Sequence, residues 1–186
     1  DLEMSPRAIA ARARAAELDA IAVADHNSAR NAPALAACCH EAGLACLFAL
    51  EVCTAEEVHT LAVFDTLDQA AAMTDWIYDS LPKRVNQPEV FGDQPVVLPD
   101  ETIVELEWRL LAAASRHALR DIGARTHELG GLFLASHVDR PVNSVFSQLG
   151  VLSGDEGFDA MELSRHADPA GWRYRTAPHA LVRSSD

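Results

Sequence analysis

The feature that most constrains this chain is a recurrence of short apolar runs, each ending on a residue able to bind a metal. Ile21-Ala22-Val23-Ala24 runs into Asp25-His26-Asn27, and Leu47-Phe48-Ala49-Leu50 ends in Glu51. Leu132-Phe133-Leu134-Ala135-Ser136 ends in His137, and Leu181-Val182-Arg183-Ser184-Ser185 ends in Asp186. A short apolar run bounded by polar residues reads as a buried strand. In parallel α/β folds, chemistry gathers where such strands end. A fold that presents these strand ends to one basin is the first expectation.

The intervening sequence supplies helices. Asp1 to Glu17 opens with one, Ser5 serving as N-cap and Pro6 as the first helical residue. Leu18 to Ala24 is the strand entering Asp25-His26-Asn27. Arg30 to Ala42 is an Ala-rich helix stopped by Gly43. Leu44 to Thr54 is a strand carrying Glu51, and Val58 to Phe64 is another with His59 near its start. Leu67 to Leu81 reads as a helix. From Pro82 to Pro99 no period holds, and four prolines punctuate a stretch long enough to be a functional flap or a surface insertion. Glu101 to Arg116 reads as a helix on the spacing of Leu106, Leu110 and Leu111, and His117 to Leu129 as a second, ending at Gly130-Gly131. Val138 to Leu152 is mixed, Phe158 to Leu163 a strand, Pro169 to Pro178 a loop and Ala180 to Ser185 the last strand. This alternation calls for a mostly parallel sheet in one domain spanning residues 1–186. Ligands at many strand ends favour a barrel over an open sheet, which offers only the crevice at its switch point.

A formal net charge of −13 disfavours electrostatic binding of extended nucleic acid, although bound metal ions would make a site locally positive. No apolar run is long enough for a membrane span. With no basic-then-apolar leader in view, the cytoplasm is the expected compartment. The cysteines (Cys38, Cys39, Cys46 and Cys53) form no C-x-x-C pair and read as buried thiols.

His26, Glu51, His59, His137 and Asp186 carry the imidazole nitrogens and carboxylate oxygens that zinc, manganese or iron take, and a carboxylate can bridge two ions. Alone, each has an ordinary reading as a cap, turn former or ion-pair partner; together, at successive strand ends, they point to a metal centre. Arg140, three residues after His137, is either a surface ion-pair partner or a guanidinium suited to bidentate phosphate binding. His40, His117, His127, His166 and His179 are weaker candidates: the first three fall in helical patterns away from strand tips, and His166 follows a strand but stands two residues beyond its tip. No phosphate-cradling glycine loop and no G-x-S-x-G motif occurs.

Taken together, Asp25-His26-Asn27, Glu51-Val52-Cys53-Thr54-Ala55-Glu56-Glu57-Val58-His59, Phe91-Gly92-Asp93-Gln94, Gly130-Gly131 and Ser136-His137-Val138-Asp139-Arg140 resemble the polymerase and histidinol phosphatase (PHP) family, specifically its bacterial phosphoesterase-like members. The resemblance implies a distorted (β/α)₇ barrel, here lacking its first strand, that hydrolyses phosphate esters with two or three divalent ions (Zn, Mn or Fe). It implies that Glu51 bridges two ions, that His59 and His137 complete one position, that Asp186 serves the other and that His26 binds a third ion. Asp25 would orient the cluster, while Arg140 and Asn27 would face the substrate. The family opens with H-x-H and closes with D-x-H. This sequence starts beyond the first and stops at Asp186 of the second, so a fragment of such a domain is expected, with His26 the ligand least expected to carry metal. The implied partner is a small phosphorylated molecule. A non-catalytic structural or regulatory module and a short-oligonucleotide nuclease are the alternatives.

Overall fold

The computed structural model of the chain describes residues 4–184, so Asp186 lies outside the described residues. Its elements in chain order are α1 (Pro6–Ala15), β1 (Ala20–His26), α2 (Ala32–Ala42), β2 (Ala45–Cys53), β3 (His59–Phe64), α3 (Leu67–Ser80), α4 (Pro88–Phe91) and β4 (Pro95–Val97). They continue with β5 (Ile103–Leu106), α5 (Leu119–Glu128), β6 (Leu132–Ala135), α6 (Val145–Leu149), β7 (Ala160–Leu163), α7 (Pro169–Thr176) and β8 (Ala180–Arg183). No helix among them is long and apolar enough to cross a membrane.

Six strands form one mixed sheet in the order β1-β2-β3-β6-β7-β8, curled into a half-barrel. The β1–β2, β6–β7 and β7–β8 pairs are parallel, whereas β3 runs antiparallel to both neighbours. Among the described residues β1 and β8 are the sheet's two edges, so the expected (β/α)₇ barrel is met as a half-barrel with one reversed strand. The reversal follows from the short Thr54–Val58 connection. Thr54 Oγ1 accepts the Glu56 and Val58 N–H groups at 3.2 Å each, closing a tight turn that only an antiparallel pair can use.

Strand alternation divides the sheet into two faces. Phe48, Leu50, Val52, Ala62, Phe64, Phe133, Ala135, Met161 and Leu163 lie on one face and pack with Met73 and Ile77 of α3 and Leu119 and Ile122 of α5. A second cluster joins Ala10 and Ala13 of α1 to Leu35, Cys38 and Cys39 of α2. All four cysteines are free thiols, as read from their spacing. The other face carries Ala22, Ala24, Leu47, Ala49, Leu61 and Leu134, smaller and in part exposed, and leaves room for the polar groups at one end.

Capping explains several boundaries. Ser5 accepts the Ala8 N–H at 3.2 Å with Pro6 behind it, and Gly43 ends α2 in the left-handed conformation (φ 69°). Helix α5 has no cap from its own Ala118. Glu56 from the β2–β3 turn supplies one instead, accepting the Leu119 N–H at 3.0 Å.

Three stretches differ from the sequence expectation. Residues 101–116 are not helical: Ile103–Leu106 is β5, paired antiparallel with β4 in a two-stranded hairpin, and an extended segment follows. Glu105 and Glu107, two residues apart, share one side of the extended chain, and both meet the Arg30 guanidinium. A helix would turn them to opposite sides, so this charge pairing and the β-branched Ile103-Val104 outweigh the leucine spacing. The Pro82–Pro99 insertion is thus not structureless, since it holds α4 and β4. Likewise Pro169–Pro178 contains α7, started by an Asp168 cap on the Ala170 N–H (3.1 Å) and Pro169 at the first position.

Gly131, in the connection from α5 to β6, lies tightest against the sheet among the described glycines. A Cβ there would lie 2.4 Å from Phe64 Cε1 and 2.8 Å from the Val63 carbonyl oxygen. Gly131→Ala is therefore expected to lower the unfolding free energy by about 1–3 kcal/mol. Urea denaturation would show a reduced midpoint at unchanged slope. An unchanged midpoint would show that Phe64 yields freely.

Candidate metal centre

Three strands and one turn deliver the cluster. His26 ends β1 and stands opposite Glu51 of β2 in the parallel register, so both project from the same face. Because β3 is reversed, its first residue, His59, sits at the sheet end where β1, β2 and β6 finish. His137 follows β6 by two residues and turns inward through a left-handed backbone (φ 30°).

Glu51 gathers all three imidazoles. Its Oε1 lies 3.2 Å from His59 Nδ1 and 3.3 Å from His137 Nε2, and these two nitrogens are 3.3 Å apart. Its Oε2 faces His26 Nδ1 at 3.4 Å. Side-chain exposure falls from 41% at His26 through 16% at Glu51 and His59 to 4% at His137, so solvent reaches the cluster from the His26 side.

Protons alone do not satisfy this arrangement. An imidazole nitrogen carries at most one hydrogen, and that hydrogen points along one line. His59 Nδ1 and His137 Nε2 nonetheless face each other and the same oxygen. The Nδ1 atoms of His26 and His137 are also buried without a hydrogen-bond partner. A tetrahedral ion with bonds of about 2.0–2.1 Å holds its ligand atoms roughly 3.3 Å apart. The Glu51–His59–His137 triangle has edges of 3.2, 3.3 and 3.3 Å. The donor set therefore fits a divalent cation, and His26, Glu51 and His59 also converge closely enough to share one.

Burial pushes the Glu51 carboxyl up, but hydrogen bonds from His137 and His59 and the charges of His59 and His26 outweigh it, holding the group well below the usual carboxylate range.

The other expected site residues lie elsewhere. Asp25 alternates to the opposite face of β1, where it lines a cavity of about 110 Å³ with Ile9, Val23 and Leu35 and accepts a 3.3 Å bond from Asn31 Nδ2. Burial raises its pKa, with Asn31 and His26 opposing. It is not brought into the cluster. Asn27, expected to face substrate, is fully buried with its amide spent on structure. Its Nδ2 donates to the Leu111 and Ala113 carbonyls at 2.6 and 2.9 Å, and its Oδ1 accepts the Cys53 N–H at 3.2 Å. Arg140 is half-buried just past the His137 turn, its N–H bonded to the His137 carbonyl at 2.9 Å. His127 pairs with Asp159 at 2.9 Å, His117 stacks on Trp76, and the exposed His166 meets Arg165, all outside the cluster.

The sequence reading passed over Glu162. It is 3% exposed, and its Oε2 accepts the His137 N–H at 3.0 Å. An acid inside the apolar run Ala160-Met161-Glu162-Leu163 was the available signal, because a charge on a buried strand needs a partner.

No family model matches the sequence, and no curated protein does either. Solved structures do. The lesion-specific endonuclease Q from Pyrococcus furiosus aligns over 98% of this chain and 43% of its own, with TM-score 0.64 and 17% identity. An endonuclease Q bound to a 27-mer duplex with an abasic lesion aligns over 86% of this chain and 38% of its own (TM-score 0.59, 18% identity). A Bifidobacterium adolescentis protein described as a metal-dependent phosphoesterase aligns over 98% and 82% (TM-score 0.65, 16% identity). The fold is shared. This chain spans less than half the length of the two endonucleases, and the likeness accords with the resemblance to the PHP family.

The Glu51 environment sets a pH dependence for the metal-free protein. A folded carboxyl held below its ordinary value of 4.5 binds fewer protons than the unfolded one, so its contribution is full above that value and is lost as pH falls through the lowered folded value. Urea midpoints from about pH 6 to about pH 3 should decline less steeply for Glu51→Gln than for wild type. Parallel declines would show that Glu51 is not preferentially ionised in the folded state.

Proposed function

We propose that this chain carries the metal-binding core of a divalent-metal-dependent hydrolase acting on phosphate esters. The observation that carries the reading is the division of labour at Glu51, whose Oε1 meets His59 and His137 while its Oε2 meets His26. Two oxygens directed at two sets of nitrogens is the arrangement of a bridging carboxylate.

In this reading Glu51, His59 and His137 hold one ion. His26 and the second oxygen of Glu51 would contribute to a neighbouring position. Divalent ions held by these residues would supply Lewis acidity toward a phosphoryl oxygen and a water activated near neutral pH. The chain's own residues do the rest. The buried His137 side keeps the ligand atoms dry and fixed, while the open His26 side admits the ester. Arg140, at the same end of the sheet, supplies a guanidinium for phosphate oxygens that gain charge during displacement. Asp25 and Asn27 take no part in the chemistry, because the first faces the helix layer and the second is a brace.

A small phosphate monoester is the favoured substrate, since the net charge of −13 opposes a long polyanion. A nuclease acting on a short strand is the second reading, favoured by the fold shared with a DNA-bound endonuclease Q.

Titrating the metal-free chain with Mn²⁺, Zn²⁺ or Fe²⁺ should raise its melting temperature, with stabilisation of about 2.7 kcal/mol at a hundredfold excess over Kd. His137→Ala should remove most of this effect. Nitrophenol release from p-nitrophenyl phosphate and strand cleavage of a short oligonucleotide, each with metal and with chelator, separate the two substrate readings. Failure of every metal to bind would overturn the proposal.

A further inference from the structure

The left-handed turn at His137 needs something to hold it. Non-glycine residues rarely adopt positive φ, and such a conformation persists only where its surroundings over-determine it. The surroundings here are on β7. Glu162 Oε2 accepts the His137 N–H at 3.0 Å, and the Glu162 carbonyl accepts the next N–H, of Val138, at 2.8 Å. The Asp139 carboxylate reaches back to accept the Ser164 N–H at 2.7 Å and the Ser164 hydroxyl at 2.6 Å. The tip of β6 is thus tied to the end of β7 by reciprocal bonds. Of these β7 contacts, that of the Glu162 carboxylate is the one made to His137 itself, which presents its imidazole to Glu51 and His59.

Glu162 is as inaccessible as His137, at 3% exposure each. Burying a carboxylate is costly, and a neutral amide could also accept this N–H, though more weakly. A charged acceptor earns its place by strengthening the bond to the His137 N–H. It also sets negative potential one residue behind the nitrogens that face the proposed ion.

We propose that Glu162 is the positioning residue of the metal centre, holding His137 in its left-handed turn so that Nε2 stays beside Glu51 Oε1 and His59 Nδ1. This rests on the metal-centre reading. It adds that the centre's geometry depends on an acid that touches no ligand atom of the cluster.

The test uses Co²⁺ alone as probe, followed by its visible absorption, together with amide hydrogen exchange at His137 in the metal-free chain. Glu162→Ala should weaken Co²⁺ binding about 10- to 100-fold and expose the His137 amide to exchange. Glu162→Gln, which keeps an acceptor, should rescue most of the affinity and the amide protection. If the alanine variant does not fold, Glu162→Leu fills the space without an acceptor, and the same losses are expected. Unchanged affinity and protection in the alanine or leucine variant would overturn the proposal. So would a glutamine variant as impaired as His137→Ala, since Glu162 would then be a ligand itself. If wild type binds no Co²⁺, the metal-centre reading fails, and the exchange measurement alone decides whether Glu162 holds the turn.

Discussion

The structure depends on the contact between one carboxylate and three imidazoles. Burial at the Glu51 position favours the neutral acid, yet His137, His59 and His26 reverse the balance and keep it ionised. That reversal requires all three rings at one sheet end, and each arrives by a different route. His26 is placed by parallel register opposite Glu51. His59 is placed by the reversed direction of β3, and His137 by a left-handed turn after β6. A β3 parallel to its neighbours would carry His59 to the far end of the sheet. The single antiparallel strand is therefore part of the site as much as of the fold.

The two faces of the sheet divide stability from chemistry. The helix-covered face holds Phe64, Phe133, Met161, Leu50 and Leu163, all at or near zero exposure, and close packing there fixes strand positions. The opposite face carries alanines along β1, so polar groups at its end are not crowded by bulk. Strands packed from behind hold the Glu51 oxygens 3.2–3.4 Å from the His26, His59 and His137 nitrogens.

Much of this was legible in the sequence because the signals were local. The strands around His26, Glu51, His59 and His137 follow from apolar runs, and α1 and α2 from Ser5-Pro6 and Gly43. Other features were set by partners distant in the chain. Residues 103–106 became a strand because β4 lies beside them and Arg30 pairs with Glu105 and Glu107, whereas the leucine spacing alone points to a helix. Asp25 and His26 are adjacent in sequence, and strand alternation sends them to opposite faces, so Asp25 does not join the cluster around Glu51. The acid that grips a ligand is Glu162, more than a hundred residues further on, and only the β6–β7 pairing shows it.

Asn27 illustrates how a residue in a chemical motif can matter without meeting substrate. Its side-chain amide bonds to Leu111 and Ala113 on one side and to Cys53 on the other, while Ser115 donates to the Cys53 carbonyl and Ala55 to that of His117. The segment following the β4–β5 hairpin is thereby stitched to β1 one residue from His26 and to β2 two residues from Glu51. Arg30 and Asn31, just beyond, hold the hairpin itself through Glu105, Glu107, Pro95 and Val97. The hairpin shares its attachment points with the ligands, so a force that lifts it acts on the ends of β1 and β2 before it reaches the hydrophobic layer. The hairpin and His26 therefore share the end of β1 as a common point of attachment.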